Sequence, residues 1–267
     1  MIPTPRVSVI IPTYNRAGYL PLALRSVLGQ SFRDLEVLIL DDASTDQSPD
    51  VVREFLDDPR VTYIKHPINV GINANRNSGL ARARGEYIAM LDSDDVWLDD
   101  RKLERQVEAL DADPGCGLVG TFAKVLDPEG KEIGELRPFT DHDRIWRALL
   151  VRNQFVHSSV LLRKRTLDRA GWYDTSIPIW EDYELWLRVG NVAGFCNLPL
   201  PMTGYRRHAG NISLSAEGKS VVSYWHIYRR HGKSYPHGHL LWIKAVLLTC
   251  RYHLKHPLAG RREIRAQ

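Results

Sequence analysis

Short apolar runs and amphipathic stretches alternate along the first 112 residues. The runs are rich in Val, Ile and Leu and predict four buried strands, at 7–11, 36–40, 61–64 and 86–91. Between the strands, apolar residues recur at helical spacing, as at Leu20, Leu24 and Val27, and predict helices that include one at 73–84. This order predicts an α/β fold whose mostly parallel sheet carries helices on both faces. In such a sheet, ligands bind beyond the carboxyl ends of the strands.

The second half of the chain follows a less regular pattern. Strands are expected at 118–125 and 155–162, with a turn and loop at 127–138 between them. A helix is expected at 180–188, with two carboxylates in its first turn. From about residue 215, Tyr, His, Arg and Trp dominate two predicted helices, at about 217–231 and 239–254. We therefore expect one domain over 1–215 and a basic, aromatic-rich helical extension over 216–267.

The overall composition of the 267-residue chain is typical of a globular protein, with 43% apolar and 25% charged residues. Its net charge of +4 conceals an asymmetry, because residues 201–267 contain 12 basic and only 2 acidic residues. Three widely spaced cysteines, Cys116, Cys196 and Cys250, argue against a disulfide framework or a zinc site. No stretch has the pattern of a signal peptide or of a transmembrane helix, so we expect a cytoplasmic protein.

A cluster of acidic residues lies at the edge of the sheet where a ligand would bind. Asp92, Asp94 and Asp95 directly follow the fourth predicted strand. Clustered carboxylates suit Mg²⁺ or Mn²⁺, which bind one or two carboxylates together with substrate phosphates. The alternative is a solvated acidic turn that caps the next helix. An EF-hand is excluded, because Trp97 stands where that loop needs glycine and Leu103 where it needs a carboxylate.

Two further residues near this edge have both a functional and a structural interpretation. Asp42 either caps the next helix or accepts hydrogen bonds from a nucleotide base or ribose. Arg76 either forms a surface ion pair or binds a diphosphate, for which a guanidinium is well suited. No Gly-rich phosphate loop of the Walker or dinucleotide-binding type occurs, which argues against a P-loop NTPase and a nicotinamide enzyme.

Four ordered segments resemble the family 2 glycosyltransferases, which have the GT-A fold. They are VSVIIPTYNR at 7–16, LILDDASTD at 38–46, NVGINANRNSGL at 69–80 and EYIAMLDSDD at 86–95. WED at 180–182 and YRRH at 205–208 resemble later motifs of the family, so the resemblance covers roughly residues 5–215. It implies a GT-A fold with a Rossmann-like sheet, a nucleotide-sugar-binding half over 1–112 and an acceptor-binding half over 113–215. Ala43 stands where the family often has Gly, and we expect an ordinary backbone conformation there.

The resemblance implies roles for residues on the donor side. Pro12 and Tyr14 would flank the nucleotide base, Asp42 would hydrogen-bond that base, and Arg76 would lie near the ribose or the diphosphate. Asp92 would bind the nucleotide sugar as the first residue of the family's DxD motif.

The resemblance also implies a divalent cation and a catalytic base. Asp94, the last residue of the DxD motif, would contact the nucleotide sugar, and either Asp94 or Asp95 would bind Mn²⁺ or Mg²⁺. His208 is a further candidate for the cation. Asp182 corresponds to the general base of inverting members, which accepts the proton of the attacking hydroxyl. The structural alternative is that Glu181 and Asp182 merely interact favourably with a helix N-terminus.

The implied activity is an inverting, metal-assisted sugar transfer in surface polysaccharide biosynthesis. The donor would be a UDP-, GDP- or dTDP-sugar, and the acceptor a hydroxyl of a glycan or of a lipid-linked saccharide. Two other functions stay open. One is a sugar nucleotidyltransferase, although the basic, Gly-rich loop expected after its first strand is missing here. The other is a non-catalytic protein that binds a sugar nucleotide.

Three residues are candidates for the acceptor side of the site, namely His157, Trp180 and Glu181. His157 alternates within an apolar run, so it is either an acceptor contact or a hydrogen-bonded core histidine. Trp180 precedes the expected base and could stack on a sugar ring, and Trp172 and Tyr173 could shape the acceptor pocket.

The basic extension has three interpretations. It could lie on the anionic inner face of the cell membrane through apolar residues such as Trp225, Leu240, Leu241 and Trp242. It could instead be a helical packing element, or it could bind nucleic acid. No nucleic-acid-binding motif accompanies the charge, so we expect no nucleic-acid partner. The lipid-linked acceptors that the resemblance implies favour peripheral membrane contact.

Overall fold

The computed structural model describes residues 4–211 and 217–255. Its strands are β1 Val7–Thr13, β2 Leu35–Asp41, β3 Val61–Lys65, β4 Tyr87–Met90, β5 Val96–Trp97, β6 Cys116–Leu126, β7 Glu132–Leu136, β8 Leu161–Arg163 and β9 Gly194–Arg206. Its helices are α1 Leu20–Leu28, α2 Ser48–Arg53, α3 Ile72–Leu80, α4 Lys102–Ala112, α5 His142–Leu149, α6 Lys164–Ala170, α7 Glu181–Gly190, α8 Glu217–His231 and α9 Gly238–Lys255. The end of the predicted extension, 256–267, lies outside the described residues.

One sheet runs through both halves of the predicted domain, in the order β3-β2-β1-β4-β8-β6-β9-β5, with β7 paired to β6. The strands β3, β2, β1 and β4 are parallel, as their helical crossovers require. Beyond β4 the sheet is mixed, because β8 pairs antiparallel with both β4 and β6, whereas β6 and β9 are parallel. The expected α/β fold is confirmed, and the carboxyl ends of β1, β2 and β4 open onto the same edge.

The core lies on both faces of this sheet, which explains why β1 and β2 are buried along their whole length and are mainly apolar. Alternate residues such as Ile10 and Leu38 face a layer formed by α3 and α5–α9. Their neighbours, such as Val9 and Val37, face a layer formed by α1, α2 and α4. The predicted extension belongs to the first layer, because Ile227 of α8 and Leu241 of α9 are fully buried there. Within the described ranges, no helix is long and apolar enough to cross a membrane.

Three predicted elements differ from the observed ones. The expected strand at 155–162 is a 3₁₀ turn at His157–Ser159 followed by the three-residue β8. The polar sequence accounts for the turn, because Ser158 Oγ donates to Asp95 Oδ2 at 2.5 Å and accepts from the Asp92 backbone N–H at 3.0 Å. The expected loop at 127–138 contains β7, and the helix expected at 73–84 ends at Leu80.

The expectation for Ala43 was wrong. Its φ of 63° lies in the left-handed region that favours glycine. Hydrogen bonds on either side impose this conformation. Asp42 accepts from the backbone N–H groups of Val70 and Gly71, and the Ser44 N–H donates to Asp41 at 2.7 Å. The departure from the family's Gly therefore carries a strain that the sequence pattern did not reveal.

Candidate active site

The loops after β1 and β2 are joined at the carboxyl edge of the sheet. The Asn15 side-chain oxygen accepts from the Thr45 N–H at 2.8 Å, and the Asn15 N–H donates to Ser44 Oγ at 3.0 Å. Pro12 is buried within β1, whereas the Tyr14 ring is 45% exposed at the end of that strand. A half-exposed aromatic ring at this edge can stack on a planar group.

Asp42 joins the loop after β2 to the loop before α3. Its carboxylate is 4% exposed and accepts from the Val70 N–H at 2.7 Å and the Gly71 N–H at 3.0 Å. Asp42 therefore does not cap α2, which was the structural interpretation of this residue. Instead, its carboxylate orders the 69–71 loop. Each carboxylate oxygen has a second lone pair that can accept from a ligand.

Arg76 of α3 connects two acidic segments that are far apart in the sequence. Its side chain is 6% exposed, and its guanidinium donates to Asp92 Oδ1 at 2.8 Å and to a carboxylate oxygen of Glu181. Asp92 Oδ2 is 3.2 Å from His157 Nδ1, and His157 Nε2 is 2.9 Å from the Tyr173 hydroxyl. Burial would raise the pKa of Asp92, but His157 and Arg76 outweigh it and hold this pKa well below its usual range. In this state Arg76 binds protein carboxylates, so it is not directed at an open diphosphate site.

Asp94 and Asp95 face different surroundings. Asp94 Oδ2 lies 2.9 Å from His208 Nε2 and 3.4 Å from Arg16 Nε, and its side chain is 14% exposed. Asp95 is 2% exposed, and its oxygens accept from Ser158 Oγ at 2.5 Å and from the Arg206 N–H at 2.8 Å. Burial and the charges of Asp94 and Asp92 raise the pKa of Asp95 well above its usual value. The structure therefore brings Asp94 and His208 together and uses Asp95 to hold the loop.

Asp94 and His208 suit a hard or borderline divalent cation only if atoms of a bound substrate complete its coordination. In the described part of the chain, no three His, Cys, Asp or Glu side chains converge to hold a metal ion by themselves. One carboxylate and one imidazole are nonetheless present at Asp94 and His208. Mn²⁺ and Mg²⁺ commonly take one or two protein ligands and complete their coordination with phosphate oxygens.

The first turn of α7 carries the expected base. Helix α7 begins after Trp180, whose backbone adopts the left-handed conformation at φ 62°. The first turn of α7 contains Glu181, Asp182 and Glu184. Asp182 is partly exposed, and its Oδ2 lies 3.4 Å from Asn153 Nδ2. Loss of solvation and the neighbouring Glu181 carboxylate raise the pKa of Asp182, which makes it a better proton acceptor.

Two candidates for the acceptor side are turned toward the protein. His157 is 8% exposed and takes part in the network with Asp92 and Tyr173. The Trp180 ring contacts the Tyr224 ring of α8 edge-on, with centroids 4.4 Å apart.

Sequence reasoning missed two residues that touch the candidate site residues. Arg16 contacts Asp94, and it lies in the first motif, where its charge next to a strand end could have marked it. Asn153 contacts Asp182 from a loop with no distinctive pattern. Neither contact follows from local sequence, because each joins segments separated by more than 25 residues.

The sequence of this chain is similar to those of known glycosyltransferases. Residues 8–172 match the family model described as Glycosyl transferase family 2. An uncharacterized glycosyltransferase of Methanocaldococcus jannaschii is 27% identical over 87% of this chain and 81% of its own length. The succinoglycan biosynthesis protein ExoO of Rhizobium meliloti is 32% identical over 79% of this chain, which spans only 63% of ExoO.

Solved structures show the same fold. TarS from S. aureus in complex with UDP-GlcNAc superposes with a TM-score of 0.71 at 21% identity, over 84% of this chain and 65% of that chain. The mannosyltransferase PcManGT from Pyrobaculum calidifontis, in complex with GDP-Man and Mn²⁺, superposes with a TM-score of 0.64 at 20% identity, over 97% of this chain and 77% of that chain.

Proposed function

We propose that this chain, which belongs to glycosyl transferase family 2, moves a sugar from a nucleoside-diphosphate sugar to a hydroxyl group with inversion at the anomeric carbon. The observation that carries the proposal is the bridge formed by Arg76. It joins Asp92 of the DxD motif to Glu181, the neighbour of Asp182, although Glu181 lies 105 residues from Arg76 in the sequence. The DxD loop, the candidate site for a cation, and the segment with the candidate base thus lie close together at the sheet edge where ligands of α/β folds bind.

On the donor side, Tyr14 and Asp42 are the residues that would recognise the nucleotide. The exposed Tyr14 ring would stack on the base, with Pro12 shaping the strand end behind it. Asp42, already ordered by Val70 and Gly71, would accept a hydrogen bond from the base through its remaining lone pairs. TarS with UDP-GlcNAc and PcManGT with GDP-Man support a nucleotide-sugar donor of this kind.

Asp94 and His208 are the residues that would hold Mn²⁺ or Mg²⁺. Asp95 is the weaker candidate, because both of its oxygens already accept protein hydrogen bonds. A bound divalent cation supplies positive charge that offsets the charge developing on the leaving diphosphate. Arg16, whose side chain is 24% exposed beside Asp94, would add a second positive charge on that side. The Mn²⁺ in the PcManGT complex supports the use of a divalent cation, though not the choice of residues that bind it.

Asp182 would act as the general base. A sugar hydroxyl is a weak nucleophile, so a carboxylate within hydrogen-bond reach must accept its proton as the bond to the anomeric carbon forms. The raised pKa of Asp182 favours that proton transfer, and Asn153 orients its carboxylate. General-base catalysis of this type typically contributes ~10²–10⁴-fold. Attack from this side, opposite the leaving diphosphate, produces inversion.

The acceptor would be a glycan or a lipid-linked saccharide in surface polysaccharide assembly, as the name of ExoO suggests. Helix α9 supports contact with the inner face of the cell membrane. Leu240, Ile243, Leu247 and Leu254 are all more than 40% exposed and recur on one side of α9, opposite its buried face. Leu241 was expected to contact the membrane but is fully buried in the core. The net positive charge of residues 201–267 suits an anionic surface.

A donor screen tests the reaction. Purified protein with UDP-, GDP- and dTDP-sugars and Mn²⁺ should release a nucleoside diphosphate, slowly by hydrolysis and faster when glycan acceptors are added. A nucleotidyltransferase would release no nucleoside diphosphate here, but would release pyrophosphate in a parallel assay that supplies a nucleoside triphosphate and a sugar 1-phosphate. Asp182→Asn should retain donor binding and lose transfer, whereas the matched control Asp57→Asn, at an exposed site, should leave both unchanged. Transfer at the wild-type rate by Asp182→Asn would contradict the base assignment.

Flotation with vesicles tests the membrane contact separately. The wild-type chain should float with vesicles that contain an anionic phospholipid and less well with phosphatidylcholine alone. Leu247→Glu, which places a charge on the exposed side of α9, should reduce flotation without lowering thermal stability. Equal flotation of variant and wild type would remove α9 as the membrane contact.

A further inference from the structure

Helix α8 holds the segment that leads into the candidate base. Glu184, two residues after Asp182, is fully buried. Its Oε1 lies 2.9 Å from both Arg230 Nη1 and His231 Nε2 of α8, and its Oε2 lies 2.8 Å from Arg188 Nε. Burial would raise the pKa of Glu184, but these three partners lower it to about 2. Glu184 is therefore an ionised carboxylate that pairs with Arg188 of its own helix and with two side chains of a helix that begins more than 30 residues later.

Arg230 makes a second contact, with the loop between α6 and α7. Its Nη1 also lies 2.9 Å from Asp174 Oδ2. The backbone carbonyls of Asp174 and Ile177 accept from Asn73 Nδ2 of α3, at 3.1 and 2.9 Å. The 171–180 loop is thus fixed by α3 on one side and by α8 on the other.

The end of this loop is held by an aromatic contact with the same helix. Trp180 precedes α7 in a left-handed backbone conformation, and its ring contacts Tyr224, which lies less than two helical turns before Arg230. Tyr224 is itself fixed, because it is 8% exposed and Lys244 Nζ lies 4.7 Å from its ring centroid. Contacts with α8 thus occur at both ends of the 174–184 segment, which includes Asp182.

The charges indicate what loss of Arg230 would do. Without Arg230, Glu184 would still be paired with Arg188 and His231, so the buried carboxylate would remain compensated. Asp174 would keep its hydrogen bonds with Ser176, which lies in the same loop, and a 3.9 Å approach of His226. The perturbation would therefore fall on the loop rather than on the core.

We propose that Arg230 is a positioning residue that orients Asp182 through Glu184 and the 174–180 loop, so that α8 completes the acceptor side of the active site. This inference rests on the proposed role of Asp182. The family match ends at residue 172, so neither Asp182 nor α8 lies within it. Helix α8 of the basic extension then supports catalysis in addition to any membrane contact by the extension. It does so because it directly contacts the segment that carries the candidate base Asp182.

Kinetics of Arg230→Met test the proposal against a merely structural role. A displacement of about 1 Å in a catalytic group can cost ~10²-fold in rate, so we expect kcat to fall at least about tenfold. The Kd for the donor should be unchanged, because the partners of the Arg230 guanidinium, Asp174 and Glu184, are not among the donor-side candidates. Arg230→Lys keeps a cation that can reach both carboxylates and should restore most of kcat. Arg229→Met, at the adjacent exposed arginine, is the matched control and should behave as wild type.

Hydrogen exchange of the full chain provides a readout that does not depend on substrate. Arg230→Met should accelerate exchange in peptides covering 171–182 and leave β1 and β2 protected as in wild type. Unchanged exchange in 171–182, global loss of protection, or accelerated exchange with an unchanged kcat would each overturn the proposal. If the wild-type chain turns over no donor, the proposed function fails instead, and the exchange result still shows whether Arg230 orders the loop.

Discussion

Replacing Arg76 by Met removes the positive charge that Asp92 and Glu181 share. The Arg76 side chain is 6% exposed, and its two partners are 29% and 12% exposed. Removing one partner of a buried ion pair costs about 3–5 kcal/mol, and the partial exposure of Asp92 favours the lower end, about 3 kcal/mol. At about 2–4 °C per kcal/mol for a chain of this size, Tm should fall by roughly 6–12 °C.

The same change should alter the pH dependence of catalysis. The charge of Arg76 lowers the pKa of Asp182, although burial and Glu181 dominate and raise it overall. Loss of that charge should raise the pKa of Asp182 further, so that the base is protonated at a higher pH. The acidic limb of the kcat/KM profile should therefore move to higher pH. Arg76→Lys is the matched control, because it keeps the charge but cannot donate to two carboxylates in the planar fork of a guanidinium.

Calorimetry and a pH–rate profile of nucleoside diphosphate release check both effects. Arg76→Lys should lose part of the Tm but keep the acidic limb close to that of wild type. An unchanged Tm in Arg76→Met would show that the buried pairs contribute nothing to stability. An acidic limb that stays in place in Arg76→Met would show that Asp182 is not the titrating base, or that the charge of Arg76 does not act on it.

Three further predictions each have a distinct expected outcome. Asp94→Asn should raise the Mn²⁺ concentration for half-maximal activity by roughly tenfold or more, because the charge of a ligand contributes to metal affinity. Asp95→Asn should leave that concentration unchanged. Equal effects of the two variants in metal titrations would refute the assignment of the cation to Asp94 rather than to Asp95. Ala43→Gly should raise the free energy of unfolding by about 0.5–1 kcal/mol, since relief of left-handed strain exceeds the entropic cost of Gly, and a decrease on denaturant unfolding would contradict it. Lys102→Met should stabilise the fold at pH 7. Complete burial lowers the pKa of Lys102, so below the ordinary lysine range the unfolded chain binds more protons than the folded protein, which favours unfolding of the wild type. The gain should shrink as the pH approaches ~10, the ordinary lysine range, and a pH-independent gain would show that Lys102 does not titrate.

Local pattern was sufficient for the elements with a clear apolar run or a long, aromatic-rich helical stretch. Strands β1, β2 and β4 are short apolar runs, and α8 and α9 begin and end within one residue of their predicted bounds. Local pattern failed at His157–Ser159, where an apolar alternation predicted a strand. The polar side chains there bond to Asp92 and Asp95, which are more than 60 residues away in sequence.

The sequence by itself determined the α/β fold, the family and the chemical types at the sheet edge, because apolar periodicity and strand-end motifs are local properties. The tertiary structure decided how those residues are used. In the folded protein, Arg76 binds two carboxylates, Asp94 lies beside His208, and Asp95 is buried among protein hydrogen-bond donors. The tertiary structure also placed α8 against Glu184. Such pairings depend on which distant segments pack together, since burial strengthens an electrostatic contact only after the whole chain has excluded water from it.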